Sequence, residues 1–162
     1  MRPQCHLAHI TAMVSTEEVL SKVCSALPRR LRSILDGETD VRNNYIGWQL
    51  DYFPKETRDS ILGVTTAELP PDHSGIFSLE SAKATQYDIA ALEFYKTFMK
   101  LRDEGTMPQA LRFQVSLPSP LSSVKAHVKA DFQPQLESLY EQRILESLAT
   151  IIEGMPAEDR AI

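Results

Sequence analysis

The sequence predicts an α/β chain with parallel strands, and three observations carry that expectation. Short apolar runs of strand character, residues 31–35 and 111–117, are separated by stretches whose apolar residues recur at helical spacing. Helix start and stop residues stand at the junctions: Ser15, Pro28, Asp88, Gly105, Pro120 and Gly154. An acidic turn, Asp36-Gly37-Glu38-Thr39-Asp40, joins the first of those runs to an amphipathic stretch carrying Val41, Tyr45, Ile46 and Trp48. That is the strand, turn, helix order of a βα unit.

In chain order, residues 7–14 read as a short strand or a strand plus loop. Ser15-Thr16-Glu17-Glu18 has the form of a capping box. Val19, Leu20, Val23, Cys24 and Leu27 follow at helical spacing, and Pro28 ends the helix. Residues 31–35 form the second strand, Gly37 gives the turn its freedom, and a helix runs over 41–52 to Pro54. Residues 54–86 are a long excursion, with turn chemistry at Pro70-Pro71-Asp72-His73-Ser74-Gly75 and short strands read at 61–64 and 75–79. Asp88 caps a helix to Glu104, whose face is Ala91, Leu92, Tyr95, Phe98, Met99 and Arg102, and Gly105 stops it. Residues 111–117 are the best strand, and Pro118-Ser119-Pro120 leads into a short helix over 119–127. A last helix over 134–154 repeats Leu136, Tyr140, Ile144, Leu148 and Ile152 every four residues. A strand begins at Arg160-Ala161-Ile162. Parallel neighbours need right-handed crossovers, and helices of this length supply them.

The totals narrow the function classes. The chain of 162 residues fits a single domain over 1–162, with 43% hydrophobic and 24% charged residues. A net charge of −5, with Lys and Arg scattered, argues against a nucleic-acid partner. No apolar stretch has membrane-spanning length, and Met1-Arg2-Pro3-Gln4-Cys5-His6 lacks a signal peptide's apolar region, so no membrane partner and a cytoplasmic location are expected. Two cysteines make no disulfide framework. Cys5, His6 and His9 match no standard zinc spacing, so no metal is expected within this chain, and Cys24 reads as a small core residue. No Gly-x-Ser-x-Gly elbow, Gly-x-Gly-x-x-Gly or Walker loop is present, so neither a serine hydrolase nor a nucleotide cofactor has support.

The candidate substrate-binding residues are Glu38, Asp36, His9 and Ser116. Asp36 and Glu38 stand where a buried strand ends, the place where βα architectures hold ligands. The same acids would serve equally to cap the next helix. His9 lies at the end of the first strand and reads either as a loop histidine or as a ligand contact. Ser116, with Arg112 nearby, lies on the best strand; Ser116 also reads as facing helices and Arg112 as a surface residue. A complete (β/α)₈ barrel takes about 250 residues. This chain offers three to four βα units, so the sheet is either an open doubly wound one or part of a barrel.

Four stretches carry a resemblance: the Ser15-Thr16-Glu17-Glu18-Val19 helix start; Asp36-Gly37-Glu38-Thr39 with Arg42, Asn44 and Trp48; Arg112-Phe113-Gln114-Val115-Ser116-Leu117-Pro118-Ser119-Pro120; and the Tyr140 to Pro156 segment leading to Asp159-Arg160-Ala161-Ile162. In order and spacing they resemble the N-terminal half of a cobalamin-independent methionine synthase-like protein, of the uroporphyrinogen decarboxylase/methionine synthase-like barrel superfamily. The resemblance implies the first half of a (β/α)₈ TIM barrel. It implies that Glu38 helps hold an amino-acid substrate and that Ser116 to Ser119 lie near the folate side. Enzymes of that family move a methyl group from a methyl-tetrahydrofolate to a thiol held as thiolate on zinc. Their zinc ligands, a His-x-Cys and a later Glu and Cys, come from a C-terminal half beyond Ile162. The first loop also departs, reading His9-Ile10-Thr11-Ala12-Met13 where the family has Gly-Ser and a proline. The chain alone is therefore not expected to complete methyl transfer, and zinc and the methyl-folate donor belong only to the full-length family.

Two function classes follow. One is the substrate-binding part of a methyltransferase of the methionine synthase-like type, taking a small amino-acid-like or thiol substrate. The other is a non-catalytic truncated relic or an interaction module, self-associating through open sheet edges.

Overall fold

In the computed structural model the described residues are 15–35, 39, 42, 45–59, 78 and 83–162. They fall into two compact units: one from residues 1–43, 89–116 and 151–162, the other from 44–88 and 117–150. Each unit is taken by itself.

The first unit opens with α1 (Thr16–Ala26). Its Ser15 cap has extended backbone, and the Ser15 hydroxyl accepts from the Glu18 amide at 3.2 Å. Glu17 and Glu18 in the first turn favour the positive helix end. Pro28 then removes a donor and the chain turns through residues 28–30. Strands β1 (Ser33–Leu35), β2 (Arg112–Gln114) and β3 (Arg160–Ala161) form one parallel sheet in the order β1-β2-β3. Ile34 stands opposite Phe113, and Phe113 opposite Arg160. The helix α3 (Tyr87–Asp103) brings Ala91, Tyr95, Phe98 and Leu101 inward within this unit. Phe98 lies 5.5 Å from Phe113, ring to ring, so the aromatic core sits between helix and sheet. Burying a side chain of this size stabilises by about 1.5–3 kcal/mol.

The second unit is built from helices. The helix α2 (Tyr45–Leu50) is followed by a 3₁₀ turn, Lys55–Thr57, then by α4 (Pro120–His127), a second 3₁₀ turn, Ala130–Phe132, and α5 (Gln133–Gly154) as far as residue 150. Pro120 occupies the first turn of α4, where its missing N–H costs nothing. The core is a continuous cluster that includes Tyr52, Phe53, Val124, Val128, Leu136 and Tyr140. Phe53 stacks on the buried His127 ring at 5.6 Å, and His127 Nδ1 lies 2.6 Å from the Ser123 carbonyl.

The partial (β/α)₈ barrel expected from the sequence is overturned: the described residues form an α-rich fold with a three-stranded parallel sheet. Runs that read as strands of five and seven residues pair over only three each, and β3 over two. Strands in globular folds typically run to about five or six residues. Pairing of the β2 run ends at Val115, whose amide donates to Ala161 at 2.9 Å. Three residues on begins Pro118-Ser119-Pro120, which withholds ladder donors at both prolines. The second physical reason is the aromatic cluster of the second unit, which α2, α4, α5 and their turns bury among themselves. A βα barrel would spend those helices on covering strands. The helix expected over 41–52 is shorter, and the strands expected at 7–14, 61–64 and 75–79 lie outside the described residues, Ser78 apart.

Candidate functional site

Of the residues the sequence singles out, Asp36, Glu38 and His9 lie outside the described residues. Ser116 is described: it is exposed, just past the end of β2. Arg112 is exposed as well, as the surface reading had it. Cys24 is partly buried on α1, and burial pushes its thiol up.

The groups that do converge are in the second unit. A cavity of about 290 Å³ is walled by Trp48, Gln49, Asp51 and Tyr52 on one side and by Lys83 and Thr85 on the other. The first four come from the end of α2 and the turn after it. The Tyr52 amide donates to Gln49 at 3.0 Å and the Phe53 amide to Leu50 at 3.2 Å, so the helix tightens before Pro54 stops it. Arg58 secures this turn, its Nε donating to the Phe53 carbonyl at 2.8 Å and its Nη1 to Asp51 at 3.1 Å. The opposite wall is the segment entering α3, where Gln86 takes a left-handed φ of 63° and redirects the chain.

Two wall residues, Gln49 and Thr85, belong to a hydrogen-bonded polar set. Gln49 is buried; its Nε2 donates to the Thr85 carbonyl at 3.4 Å and its Oε1 accepts from Tyr140 at 2.8 Å. The Thr85 hydroxyl lies 2.8 Å from that of Ser147, which donates to Asp88 at 3.3 Å. Trp48 stands edge-on to Tyr87 at 4.8 Å. Burial pushes the Tyr140 phenol up to about 12, against hydrogen bonds from Ser123 and Tyr87 that pull it down. Burial likewise raises Tyr52 to about 12, with the Arg143 charge opposing. Both phenols therefore remain neutral donors near pH 7.

Tyr52 differs from Tyr140 in one respect. Its hydroxyl is buried and has no hydrogen-bond acceptor among the described residues, while the Arg143 guanidinium beside it pulls the phenol down both by charge and as a hydrogen-bond donor. At the rim stand one acid and one base, Asp51, whose side chain is 81% exposed, and Lys83, also exposed. Among the described residues no three His, Cys, Asp or Glu side chains are placed to hold a metal ion. No described helix is long and apolar enough to cross a membrane. The arrangement supplies recognition groups: an aromatic wall and two opposite charges.

Sequence reasoning reached Trp48 as part of an apolar helix face but missed Gln49, Tyr52 and Thr85 as site residues. Only one signal was available, a glutamine inside an apolar stretch, and nothing local ties it to residues 85 and 140. Comparison of the chain with protein-family models, with curated proteins and with solved structures gives no match.

Proposed function

We propose that this chain binds a small zwitterionic, amino-acid-like molecule in the cavity beside Trp48. The observation that carries the reading is the pair of opposite charges, Asp51 and Lys83, on the rim of a cavity walled by Trp48. They match an ammonium and a carboxylate, and Trp48 offers an apolar wall for a side chain. The ligand class is also the one implied by the resemblance to cobalamin-independent methionine synthase-like proteins. The proposal concerns recognition and names no reaction. A self-associating module draws on less: Leu35 is 47% exposed on β1, but the outer strands of the described sheet offer ladders of only three and two residues.

Trp48 is the only tryptophan, so the site carries its own probe. Titration with L-methionine and L-homocysteine should change Trp48 emission saturably. Lys83→Ala should weaken that binding by about 2- to 5-fold, the effect of one exposed charged contact. Emission that responds to neither amino acid, or an affinity unchanged in Lys83→Ala, would overturn the assignment.

A further inference from the structure

The first unit holds a cavity of its own, about 510 Å³, bounded by the end of α1, the turn after it and the segment leading into β2. Its walls are largely apolar, with Leu27, Leu31, Met107 and Leu111 among them. Met107 and Leu111 are buried and form fixed wall. Three features define what such a cavity would accept.

The first is an acceptor. In an α-helix the Cys24 carbonyl would take a bond from the amide four residues on, but that residue is Pro28, which has no N–H. Cys24 itself lines the cavity. The last turn of α1 carries no basic side chain to neutralise its carbonyl end. The end of α3 differs, since its carbonyls are met by the Gly105 and Thr106 amides, both at 3.0 Å. The second feature is a charge: Arg29 stands in the wall with a left-handed φ of 59° and opposes a cationic ligand. An anion, conversely, would meet the carbonyl end of α1. The third is the thiol. Burial raises the Cys24 thiol, which makes it a poor nucleophile and leaves it a wall group.

We infer that this cavity binds a neutral apolar molecule carrying one hydroxyl donor, of the phenol class, with the hydroxyl on the Cys24 carbonyl and the ring against Leu31, Met107 and Leu111. The thiol then reports occupancy.

The experiment uses the full chain with Cys5→Ser, so that Cys24 is the sole thiol, and follows alkylation by N-ethylmaleimide by mass spectrometry. Phenol should slow alkylation saturably, by about tenfold at ten times its Kd. Toluene at the same concentration, short of one hydrogen bond, should slow it only about two- to sixfold, and benzoate and benzylamine, which carry a charge, should leave the rate nearly unchanged. Ala110→Phe fills the cavity and should abolish the protection while keeping the native melting curve. Thr106→Phe replaces it should Ala110→Phe melt differently. An alkylation rate indifferent to phenol overturns the inference. So does equal protection by toluene or by either ion, or protection that survives the filled cavity.

Discussion

Arg102 is the residue whose position in the sequence is hardest to understand and whose role in the structure is plainest. It falls on the apolar face of α3 with Ala91, Tyr95 and Phe98. Its guanidinium meets Asp159 in a two-pronged contact, Nη1 to Oδ1 at 2.5 Å and Nη2 to Oδ2 at 2.9 Å. Tyr95 donates to the same carboxylate at 2.6 Å. The Arg102 hydrogen bonds hold the Asp159 carboxyl below its ordinary range against the cost of burial, and Tyr95 adds to them. Nothing local in the sequence pairs residues 102 and 159, so the buried arginine was legible and its partner was not. A carboxylate with a depressed pKa stabilises the fold above its unfolded pKa, and that stabilisation is lost as pH falls through the folded value. Tyr95→Phe should therefore lower stability at pH 7 by about 1.5–3 kcal/mol, the worth of a hydrogen bond to a charged group. It should also move acid unfolding to higher pH, because Asp159 loses one of the bonds that depress it. Urea melts of both proteins across the acid range decide this: the difference should shrink as Asp159 becomes protonated, and a pH-independent difference would mean the carboxylate's charge is not involved.

At the scale of elements, helix ends were read where their chemistry is local, except that Asp88, expected to cap α3, stands inside its first turn because the helix already begins at Tyr87. Ser15 caps α1 as its sequence indicated, and Gly105 ends α3 with the Thr106 amide on Leu101 and the Gly105 amide on Arg102. Gly105 has a φ of 75°, and a Cβ added there would meet nothing within 4 Å. Gly105→Ala is thus a test of backbone conformation without a clash: it should cost about 1–2 kcal/mol, seen as a melting temperature lower by a few degrees. An unchanged melting temperature would mean that the left-handed turn contributes nothing. The long helix shows why reading stops short. Leu136, Tyr140 and Ile144 are buried as the four-residue repeat requires, but Leu148 is only partly buried and Ile152 is 42% exposed. Each four-residue step overshoots a turn of 3.6 residues by about 40°. The inward face therefore steps back by three, and Ser147 and Ile151 take the buried places. The strands failed for a different reason: apolar composition marks where a strand lies, while its length depends on how far its neighbours reach.

The same distinction governs the whole molecule. The order of elements was legible in the described chain, and the sheet is parallel as expected. The barrel was not there to be read, because whether helices cover a sheet or cover one another is decided by contacts far apart in sequence, such as Tyr140 with Gln49. The division into units runs through helices: α3 and α5 each contribute residues to both. A helix is a cooperative ladder, so breaking it within one unit costs hydrogen bonds that continue into the other. Ile151, fully buried in the α5 segment of the first unit, tests whether that continuity couples the two. Ile151→Val removes one methylene and should cost about 0.5–1.5 kcal/mol, a urea midpoint lower by a few tenths molar. Trp48 reports from the second unit alone, whereas far-ultraviolet circular dichroism averages over every helix. If the chain unfolds as one, both signals should move by the same amount and keep a single transition. A Trp48 midpoint that stays in place, while circular dichroism gains an earlier step, would mean that α5 frays at the boundary and each core stands on its own.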